Sequence, residues 1–521
     1  MTEENLSQNN NHNGQNITNS ASVSPSIPIG TNNSAVEPKS ANPINPPQEQ
    51  ANVSESPEIP GAVTTINIEH TDSNSGYEKI MKKGKLMLAI IGVIIFFMVF
   101  LLIILFAKKR NTTGKQVVLT YWGLWEDKDV MQPLIDEFEK THPGIKINYI
   151  KQDFGFTSEN YANVGTYYSS VLERLSKTGG VDIMRVHVSW IPNIVNLLYP
   201  APNNIFPASE VQQNYYKPVV NASVFNNYVY DIPLYLDGLV MFYNPTLFKQ
   251  ANIQDVPQTW EDVVNDAPKL TKKQDNRIIQ AGVAIGTGSN IFHSPETILM
   301  MFTQADVKVI DFKNKTFSFA TDEATAAVKF YTDFAKKYQM WSYTLPSDLK
   351  MFSQCRLAML FAPSWRAINF IASNPKLKFK VAPPPVLPGA RPEVDRYIGS
   401  YYTEVVPRNA PHPKEAWIFL HWLSQPEQLQ KFYQLQYQAH KAALPSPRKD
   451  VQQDVKIAPT AKTIHEMAPK MKVWLLYDAG IWEKSFREFL TNLESQQDSV
   501  TTTQLQELQN SLNQKIFSNK Q

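Results

Sequence analysis

The sequence is poor in cysteine and in the short motifs that mark most enzyme active sites. Its one cysteine, Cys355, excludes a disulfide framework, and no cysteine closely follows the long apolar run, so a lipid anchor is excluded there. The sequence has no His-Glu-x-x-His, Walker-type loop, Gly-x-Ser-x-Gly or paired Cys-x-x-Cys, and 9 histidines in all. We therefore assign no metal site, cofactor or catalytic residue, and we expect that the chain is not an enzyme.

Dense basic blocks are also missing, apart from the flanks of the apolar run. The 50 lysines and arginines are spread along the chain against 48 acidic residues, which does not favour a nucleic-acid partner. Residues 1–78 are rich in Asn, Ser, Pro and Gln, and they carry one lysine against nine acidic residues. Such a segment cannot bury enough apolar surface to offset chain entropy, so we predict a disordered acidic tail.

Residues 86–107 form an apolar run without a single charge. About 20 apolar residues span a bilayer, so this run predicts a transmembrane helix, and residues 79–115 comprise it with its basic flanks and a polar linker. Four basic residues stand on each side, so the positive-inside rule does not fix the orientation. We expect this helix to tether the rest of the chain to the lipid bilayer.

Beyond residue 116 the sequence alternates between predicted strands and helices. Residues 117–122 and 145–150 are typical of strands, and apolar residues at helical spacing lie between them at 126–140. This β-α-β opening predicts a parallel sheet with helices on its faces, which is an α/β fold.

Two capping boxes are predicted farther along, at Thr259 with Asp262 and at Ser424 with Glu427. Each pairs a hydroxyl with an acidic side chain three residues later, which is typical of the first turn of a helix. The last segment, residues 497–521, is polar, and we expect it to be loosely held.

Residues 229–248 form an aromatic-rich apolar stretch that is typical of a single extended strand. It contains Pro233, which cannot donate a ladder hydrogen bond, and Asp237, whose carboxylate is costly to bury. A strand that crosses between two domains and lines a cleft explains both residues. The alternative is a core strand of a single domain with Asp237 at its edge.

Aromatic residues give the strongest indication of a binding site. Ligands of parallel sheets lie beyond the carboxyl ends of the strands, and aromatic faces with a few polar groups suit a polyhydroxylated ligand. The alternative is that these residues are ordinary core aromatics. The aromatics at predicted strand ends or in loops are Trp122, Trp125, Trp190, Tyr235, Trp365, Tyr401 and Tyr402.

A glycan hydrolase would need two carboxylates across a cleft, and Glu126 with Asp237 is the one pair that we can nominate.

Several segments, taken in order, resemble the family-1 extracellular solute-binding proteins of ABC importers, the maltose-binding-protein-like group. The most specific block is Tyr-Asp-Ile-Pro-Leu-Tyr-Leu-Asp-Gly at 230–238 with Pro-Gln-Thr-Trp-Glu-Asp at 257–262. Val181 stands where the family usually has proline, and Cys355 where it commonly has glycine. The other matching segments are residues 118–123, 138–145, 180–184, 356–365 and 397–406.

The resemblance implies a two-lobed α/β fold of the periplasmic-binding-protein type II class, preceded here by the tail and the transmembrane helix. The lobes would be joined by crossing strands and would close on the ligand as a hinge. Lobe 1 is expected over residues 116–231 and 397–442, and lobe 2 over residues 232–396 and 443–496.

The resemblance also implies roles for particular residues. Asp237 matches the cleft carboxylate of the first crossing strand, and Trp365 matches a stacking aromatic of lobe 2. Either Trp474 or Trp482 would supply a late aromatic. With the aromatics above, the expected ligand-binding residues are Trp122, Trp125, Glu126, His187, Trp190, Tyr235, Asp237, Trp365 and Tyr401.

The resulting hypothesis is a membrane-tethered receptor that captures a small solute, with carbohydrate favoured, and presents it to ABC permease subunits. The family places the binding domain outside the cell, so a single-pass protein with a cytoplasmic tail is expected. A ligand-binding sensor or adhesion module without transport is the alternative, and a surface glycan hydrolase is less favoured.

Overall fold

The computed structural model describes residues 87, 91–102, 116–154, 164–177, 179–387, 395–451 and 459–518. The chain divides into two compact units, Met1–Leu101 and Leu102–Gln521. In the first unit, residues 91–101 are helical and exposed. Within the described residues, no helix is both long and apolar enough to cross a membrane. The predicted tail and the remainder of the predicted span at 86–107 lie outside the described residues.

The second unit alternates strands with helices, as expected. Its strands are β1 (Val117–Gly123), β2 (Ile145–Lys151), β3 (Ile183–His187), β4 (Val224–Phe225), β5 (Tyr228–Val229), β6 (Asp231–Ile232), β7 (Leu239–Tyr243), β8 (Lys272–Gln274), β9 (Arg277–Val283), β10 (Ile310–Asp311), β11 (Thr316–Phe317), β12 (Leu357–Pro363), β13 (Lys380–Ala382), β14 (Tyr397–Gly399), β15 (Tyr402–Val405) and β16 (Met471–Val473).

The helices of this unit pack on both faces of its sheets. They are α1 (Lys128–Thr141), α2 (Val164–Ser176), α3 (Ile191–Ile194), α4 (Ala208–Asn214), α5 (Lys217–Ser223), α6 (Pro245–Gln250), α7 (Trp260–Leu270), α8 (Ser294–Gln304), α9 (Asp322–Lys336), α10 (Asp348–Ser353), α11 (Arg366–Ser373), α12 (Pro413–Leu423), α13 (Pro426–His440), α14 (Pro459–Met467), α15 (Ala479–Glu494) and α16 (Thr502–Phe517), with short 3-10 turns at Val188–Trp190, Val195–Leu197 and Ala468–Lys470.

Two five-stranded sheets organise the second unit. The first has the order β2-β1-β3-β15-β6, and the second has the order β13-β7-β12-β9-β8. In the first sheet β1 runs parallel to β2 and β3, while β15 runs antiparallel to β3 and β6. In the second, β12 runs parallel to β9 and antiparallel to β7. We call the first sheet with α1, α2, α12 and α13 lobe 1, and the second with α7, α8, α9, α15 and α16 lobe 2.

The late strand β15 lies between β3 and β6 of the first sheet, although the whole second sheet precedes it in the chain. The chain therefore builds most of lobe 1, crosses to lobe 2, returns to lobe 1 for β15, α12 and α13, and crosses again to lobe 2 for α15 and α16. Strand β14 pairs with β16 and not with the first sheet. Residues 397–399 therefore lie outside both five-stranded sheets, and the lobe boundary expected at residue 397 stays a prediction.

The stretch at residues 229–248 does cross between the two sheets, but it is not one continuous strand as predicted. Strand β6 pairs in the first sheet and β7 in the second, and residues 233–238 connect them. The final part is helical, because the Asn244 side chain accepts hydrogen bonds from the N–H groups of Thr246 and Leu247 and Pro245 occupies the first helical turn.

The predicted capping box at Thr259 and Asp262 is confirmed. The Thr259 hydroxyl accepts from the Asp262 N–H at 3.1 Å, and the Asp262 carboxylate accepts from the Thr259 N–H at 2.8 Å. The second predicted box, at Ser424 and Glu427, is wrong. The Ser424 hydroxyl donates back to the carbonyl of His421 at 2.9 Å, because α12 ends immediately before it.

The prediction of a loosely held C-terminal segment is also wrong. Helix α16 buries Leu505, Leu508, Leu512 and Ile516 in the core of lobe 2. These residues recur every three or four positions, so a mainly polar composition conceals one continuous apolar face.

Substitution of Leu512 with alanine tests this correction. Leu512 is fully buried, so we expect Leu512→Ala to lower the free energy of unfolding in urea by about 3 kcal/mol. The exposed Gln506 on the same helix is the control, and Gln506→Ala should cost less than about 1 kcal/mol. Equal and small losses for both variants would mean that α16 does not contribute to the fold.

Candidate functional site

The two lobes are joined by segments that lie side by side. Residues 233–238 connect β6 to β7, and residues 400–401 connect β14 to β15. Gly238 and Gly399 form an antiparallel bridge, and the Ser400 N–H donates to the Asp237 carbonyl at 3.0 Å. A Cβ atom at Gly238 would lie 2.5 Å from the Ile398 carbonyl oxygen, so glycine is needed there. These contacts make the two crossings one paired unit, which we call the hinge.

Asp237 uses its carboxylate to hold the hinge against lobe 2. Its Oδ1 accepts from the N–H groups of Gly238 at 2.7 Å and Ser364 at 2.9 Å, and its Oδ2 accepts from the Trp365 N–H at 3.4 Å. The side chain is 1% exposed, and burial raises the pKa of Asp237 to about 7. Asp237 therefore fixes the position at which Trp365 leaves strand β12.

On the lobe 1 side, an aromatic cluster surrounds the ends of β3 and β15, where they meet the hinge. The ring of Tyr402 lies 5.4 Å from Trp125, 5.1 Å from His187 and 6.3 Å from Trp190. The rings of Trp190 and Tyr168 lie 4.6 Å apart. Trp125, His187 and Tyr402 are half-buried, and Trp190 is 1% exposed. We call Trp125, His187, Trp190 and Tyr402 the lobe 1 cluster.

His187 is neutral at ordinary pH, because burial lowers the pKa of this side chain to about 4. Its Nδ1 accepts from the Ser189 N–H at 3.3 Å, so Nε2 carries the proton and donates to the Ser400 hydroxyl at 3.0 Å. His187 thereby links the lobe 1 cluster to the second crossing of the hinge.

A buried ionic network supports this cluster from inside lobe 1. The Arg185 guanidinium pairs with the Glu126 carboxylate through Nη1, and its Nε donates to Glu404 Oε1 at 2.7 Å. The Tyr121 hydroxyl donates to the same Glu404 oxygen at 2.8 Å. Burial alone would lower the pKa of Arg185, but the Glu404 carboxylate raises it well above its ordinary value. The network fixes the loop that carries Trp125 relative to β3 and β15.

On the lobe 2 side, three residues after β9 and β12 form a hydrogen-bonded group beside Trp365. The Arg366 guanidinium carbon lies 4.2 Å from the ring centre of Trp365, and its Nε donates to His293 Nε2 at 3.0 Å. The His293 Nδ1 lies 2.7 Å from Glu296 Oε1. Burial lowers the pKa of His293, so its neutral ring accepts from Arg366 and donates to Glu296. We call Arg366, His293 and Glu296 the relay.

The two lobes also touch away from the hinge. The Asn193 side chain in lobe 1 donates to the Tyr477 carbonyl in lobe 2 at 2.6 Å and to the Tyr168 hydroxyl at 2.9 Å. Tyr477 has φ of 65°, a left-handed conformation that is uncommon for a residue other than glycine. The structure thus shows Asn193 of lobe 1 in contact with the backbone of Tyr477 in lobe 2.

The remaining residues expected at the site lie deeper or farther along the same edge. Trp122 is half-buried with the Arg174 guanidinium carbon 5.0 Å from its ring centre. Tyr235 and Tyr401, in the two crossings, are 4% and 2% exposed, respectively. Both candidates for the late aromatic, Trp474 and Trp482, are buried in the core of lobe 2.

The two expected carboxylate ligands have other partners in the structure. Arg185 forms an ion pair with Glu126, and backbone N–H groups donate hydrogen bonds to the Asp237 carboxylate. Both carboxylates, which are also the pair nominated for a glycan hydrolase, are buried and engaged by protein groups. The physical reason is that both residues are buried, at 3% and 1% exposure, where an unpaired carboxylate would be costly. Contact of either residue with a solute stays a prediction.

Sequence reasoning missed the relay and the Arg185 partner Glu404. Arg185 and Glu404 are 219 positions apart and become neighbours only because β15 inserts beside β3. The segment His-Ser-Pro-Glu at residues 293–296 could have indicated part of the relay. Proline there predicts the first turn of a helix, and His293 and Glu296, three positions apart, then lie one turn apart.

Residues 123–430 match the family of bacterial extracellular solute-binding proteins. The chain belongs to this family. A protein of Brucella abortus (strain 2308), described as a candidate binding protein, is 21% identical over 305 residues, which are 57% of this chain and 69% of that protein. The family and this relative are binding proteins, in agreement with the expectation that the chain is not an enzyme.

Two solved structures share the fold of this solute-binding protein. An ABC transporter solute-binding protein from Thermotoga lettingae, bound with alpha-D-tagatose, has a TM-score of 0.58 and 20% identity, over 77% of this chain and 99% of that chain. A cyclo/maltodextrin-binding protein complexed with maltotetraose has a TM-score of 0.61 and 16% identity, over 79% and 100%. The mixed α/β fold expected from the sequence is thereby confirmed.

Proposed function

We propose that this solute-binding protein captures a carbohydrate between its two lobes by hinge closure and presents it to the permease of an ABC importer. The observation that carries the proposal is the position of the hinge. It lies between the lobe 1 cluster and Trp365, so movement about it would bring aromatic faces from both lobes onto one solute. Trp122, Tyr235 and Tyr401 would complete the surroundings of the solute.

Carbohydrate is favoured over other solutes for two reasons. Aromatic rings with adjacent hydrogen-bonding groups match the apolar faces and hydroxyl edges of a sugar ring. The two related structures hold tagatose and maltotetraose, which supports the same class for this chain.

The proposal includes attachment to the cell membrane through residues 86–107, with the acidic tail in the cytoplasm and the binding domain outside. The exposed apolar side chains of helical residues 91–102 support this part of the proposal. Fractionation of cells that express the full chain, followed by protease treatment from outside, tests it. The binding domain should be digested and the tail protected.

A sensor without transport is a second candidate, because a long acidic segment precedes the apolar run. Permease genes beside this gene would favour import, and a signalling partner would favour sensing.

The tryptophans of the two lobes provide the direct test of carbohydrate binding. A thermal-shift screen of the chain from residue 116 onward against saccharides identifies the ligand. We then expect Trp125→Ala and Trp365→Ala each to weaken calorimetric affinity at least about tenfold, because each removes a stacking face. Trp422, a half-buried tryptophan on α12, is the matched control, and Trp422→Ala should leave affinity unchanged. Unchanged affinity in both cleft variants would reject the proposal.

A further inference from the structure

The side-chain amide of Asn193 joins the two lobes at a point away from the hinge. Its Nδ2 donates to the Tyr477 carbonyl of lobe 2 at 2.6 Å and to the Tyr168 hydroxyl of lobe 1 at 2.9 Å. A carbonyl oxygen is an acceptor and never a donor, so the nitrogen of the amide has to face Tyr477. The two N–H bonds of one amide group therefore have acceptors in different lobes.

The core of lobe 1 holds Asn193 in place. Asn193 lies on the short helix α3, whose Ile191 and Ile194 are both fully buried. These isoleucines belong to the same apolar cluster as Tyr168, whose hydroxyl orients the amide. The donor is consequently fixed to lobe 1 and does not follow lobe 2 when the lobes move.

The core of lobe 2 holds Tyr477 in a similar way. Its ring is buried and lies 4.9 Å from the ring of Phe517 on α16. The next residue, Asp478, caps helix α15 by accepting from the Ile481 N–H at 3.1 Å. The Tyr477 backbone has a left-handed φ of 65°, which costs free energy in a residue with a Cβ atom and persists where the surroundings impose it. Lobe 2 thus fixes the direction of the Tyr477 carbonyl.

The bond from Asn193 to Tyr477 forms only when the lobes are in contact, because its donor and acceptor are fixed to different cores. Water replaces both partners when the lobes separate, so the net contribution of the bond is modest. A contact of this kind shifts the equilibrium between contacting and separated lobes without preventing separation.

We propose that Asn193 and Tyr477 form a latch that stabilises the arrangement with the lobes in contact and thereby raises the apparent affinity for the solute. The effect on affinity rests on the proposed function: a solute held by both lobes binds the contacting arrangement, so its apparent affinity follows the population of that arrangement. The effect on the lobes concerns the chain without solute and is measured separately.

Energy transfer between two dyes on single molecules measures the latch in the full chain, in a detergent without a sugar headgroup. Cys355, the one cysteine of the chain, is exposed two positions before β12 of lobe 2. Lys140→Cys adds a second labelling position at the exposed end of α1 in lobe 1. Without saccharide, Asn193→Ala and Asn193→Asp should each lower the ratio of contacting to separated lobes by about threefold to tenfold. Neither alanine nor an ionised aspartate donates to the Tyr477 carbonyl.

Asn409→Ala is the matched control, because the Asn409 amide donates to the Leu175 carbonyl at 3.3 Å within lobe 1. It should leave the ratio unchanged, and thermal midpoints of all variants should stay close to wild type. In calorimetric titrations, the affinity for maltotetraose should fall in both Asn193 variants in proportion to the population of contacting lobes.

An unchanged ratio in both Asn193 variants would overturn the latch. Weaker maltotetraose binding with an unchanged ratio would also overturn it, since Asn193 would then act on the solute and not on the lobes. Failure of the wild type to bind any saccharide would overturn the proposed function, whereas the ratio without saccharide would still decide whether the latch exists.

Discussion

Arg185→Met should lower the free energy of unfolding by about 3–5 kcal/mol, because it leaves the carboxylates of Glu126 and Glu404 buried without their cation. Arg185 is 0% exposed, so water cannot replace it. Solute affinity should fall with stability, because the network fixes the loop that carries Trp125. Urea denaturation and calorimetric titration of the chain from residue 116 onward measure the two effects.

Two controls make this result specific to the network. The triple variant with Glu126→Gln and Glu404→Gln added should regain part of the lost stability, because the uncompensated charges are gone. Lys431→Met breaks the partly exposed pair of Lys431 with Glu137 and should cost less than about 1 kcal/mol. If Arg185→Met cost no more than Lys431→Met, the buried network would not support the site.

Asp237→Ala should lower the free energy of unfolding by about 3 kcal/mol, because it removes the acceptor of three backbone N–H groups in a buried place. It should also weaken solute binding, since Trp365 loses the bond that positions it. Asp237→Asn, which keeps the shape and one acceptor oxygen, should cost less. Equal costs for the two variants would show that the carboxylate itself is unimportant.

The difference in stability between wild type and Asp237→Asn should depend on pH, because the pKa of Asp237 is raised in the folded protein. Burial raises the pKa of Asp237 to about 7, whereas an unfolded aspartate has a pKa of about 3.9, so the folded state binds the proton more tightly. This contribution to stability is complete below about pH 4 and is lost as the pH rises through about 7. The stability of wild type relative to Asp237→Asn should therefore fall between about pH 4 and about pH 7 and change little above that range.

The sequence was sufficient for the alternation of strands and helices and for the crossing at residues 233–238. Local sequence patterns predict these features. The patterns are the spacing of apolar residues, the capping box at Thr259, and a proline and a carboxylate within an apolar run. The resemblance to the family added the expectation of two lobes and of a site near Trp365. The structure brings Asp237 and Trp365 within hydrogen-bonding distance, as a crossing beside a cleft requires.

The rest depended on long-range contacts that local patterns do not contain. Nothing near Arg185 in the sequence indicates Glu404 as its partner, so the place of Glu126 in a buried ionic network could not be predicted. The relay of Arg366, His293 and Glu296 joins residues that are up to 73 positions apart. Helix α16 was missed because its polar residues outnumber the apolar ones that form its buried face.

The central claim is that one solute is held by both lobes at once. Hydrogen–deuterium exchange of the chain from residue 116 onward, with and without the saccharide that gives the largest thermal shift, tests it directly. We expect simultaneous protection of the backbone around Trp125 and His187 in lobe 1 and around Glu296 and Trp365 in lobe 2. Protection confined to one lobe, or to a surface away from the hinge, would contradict the claim.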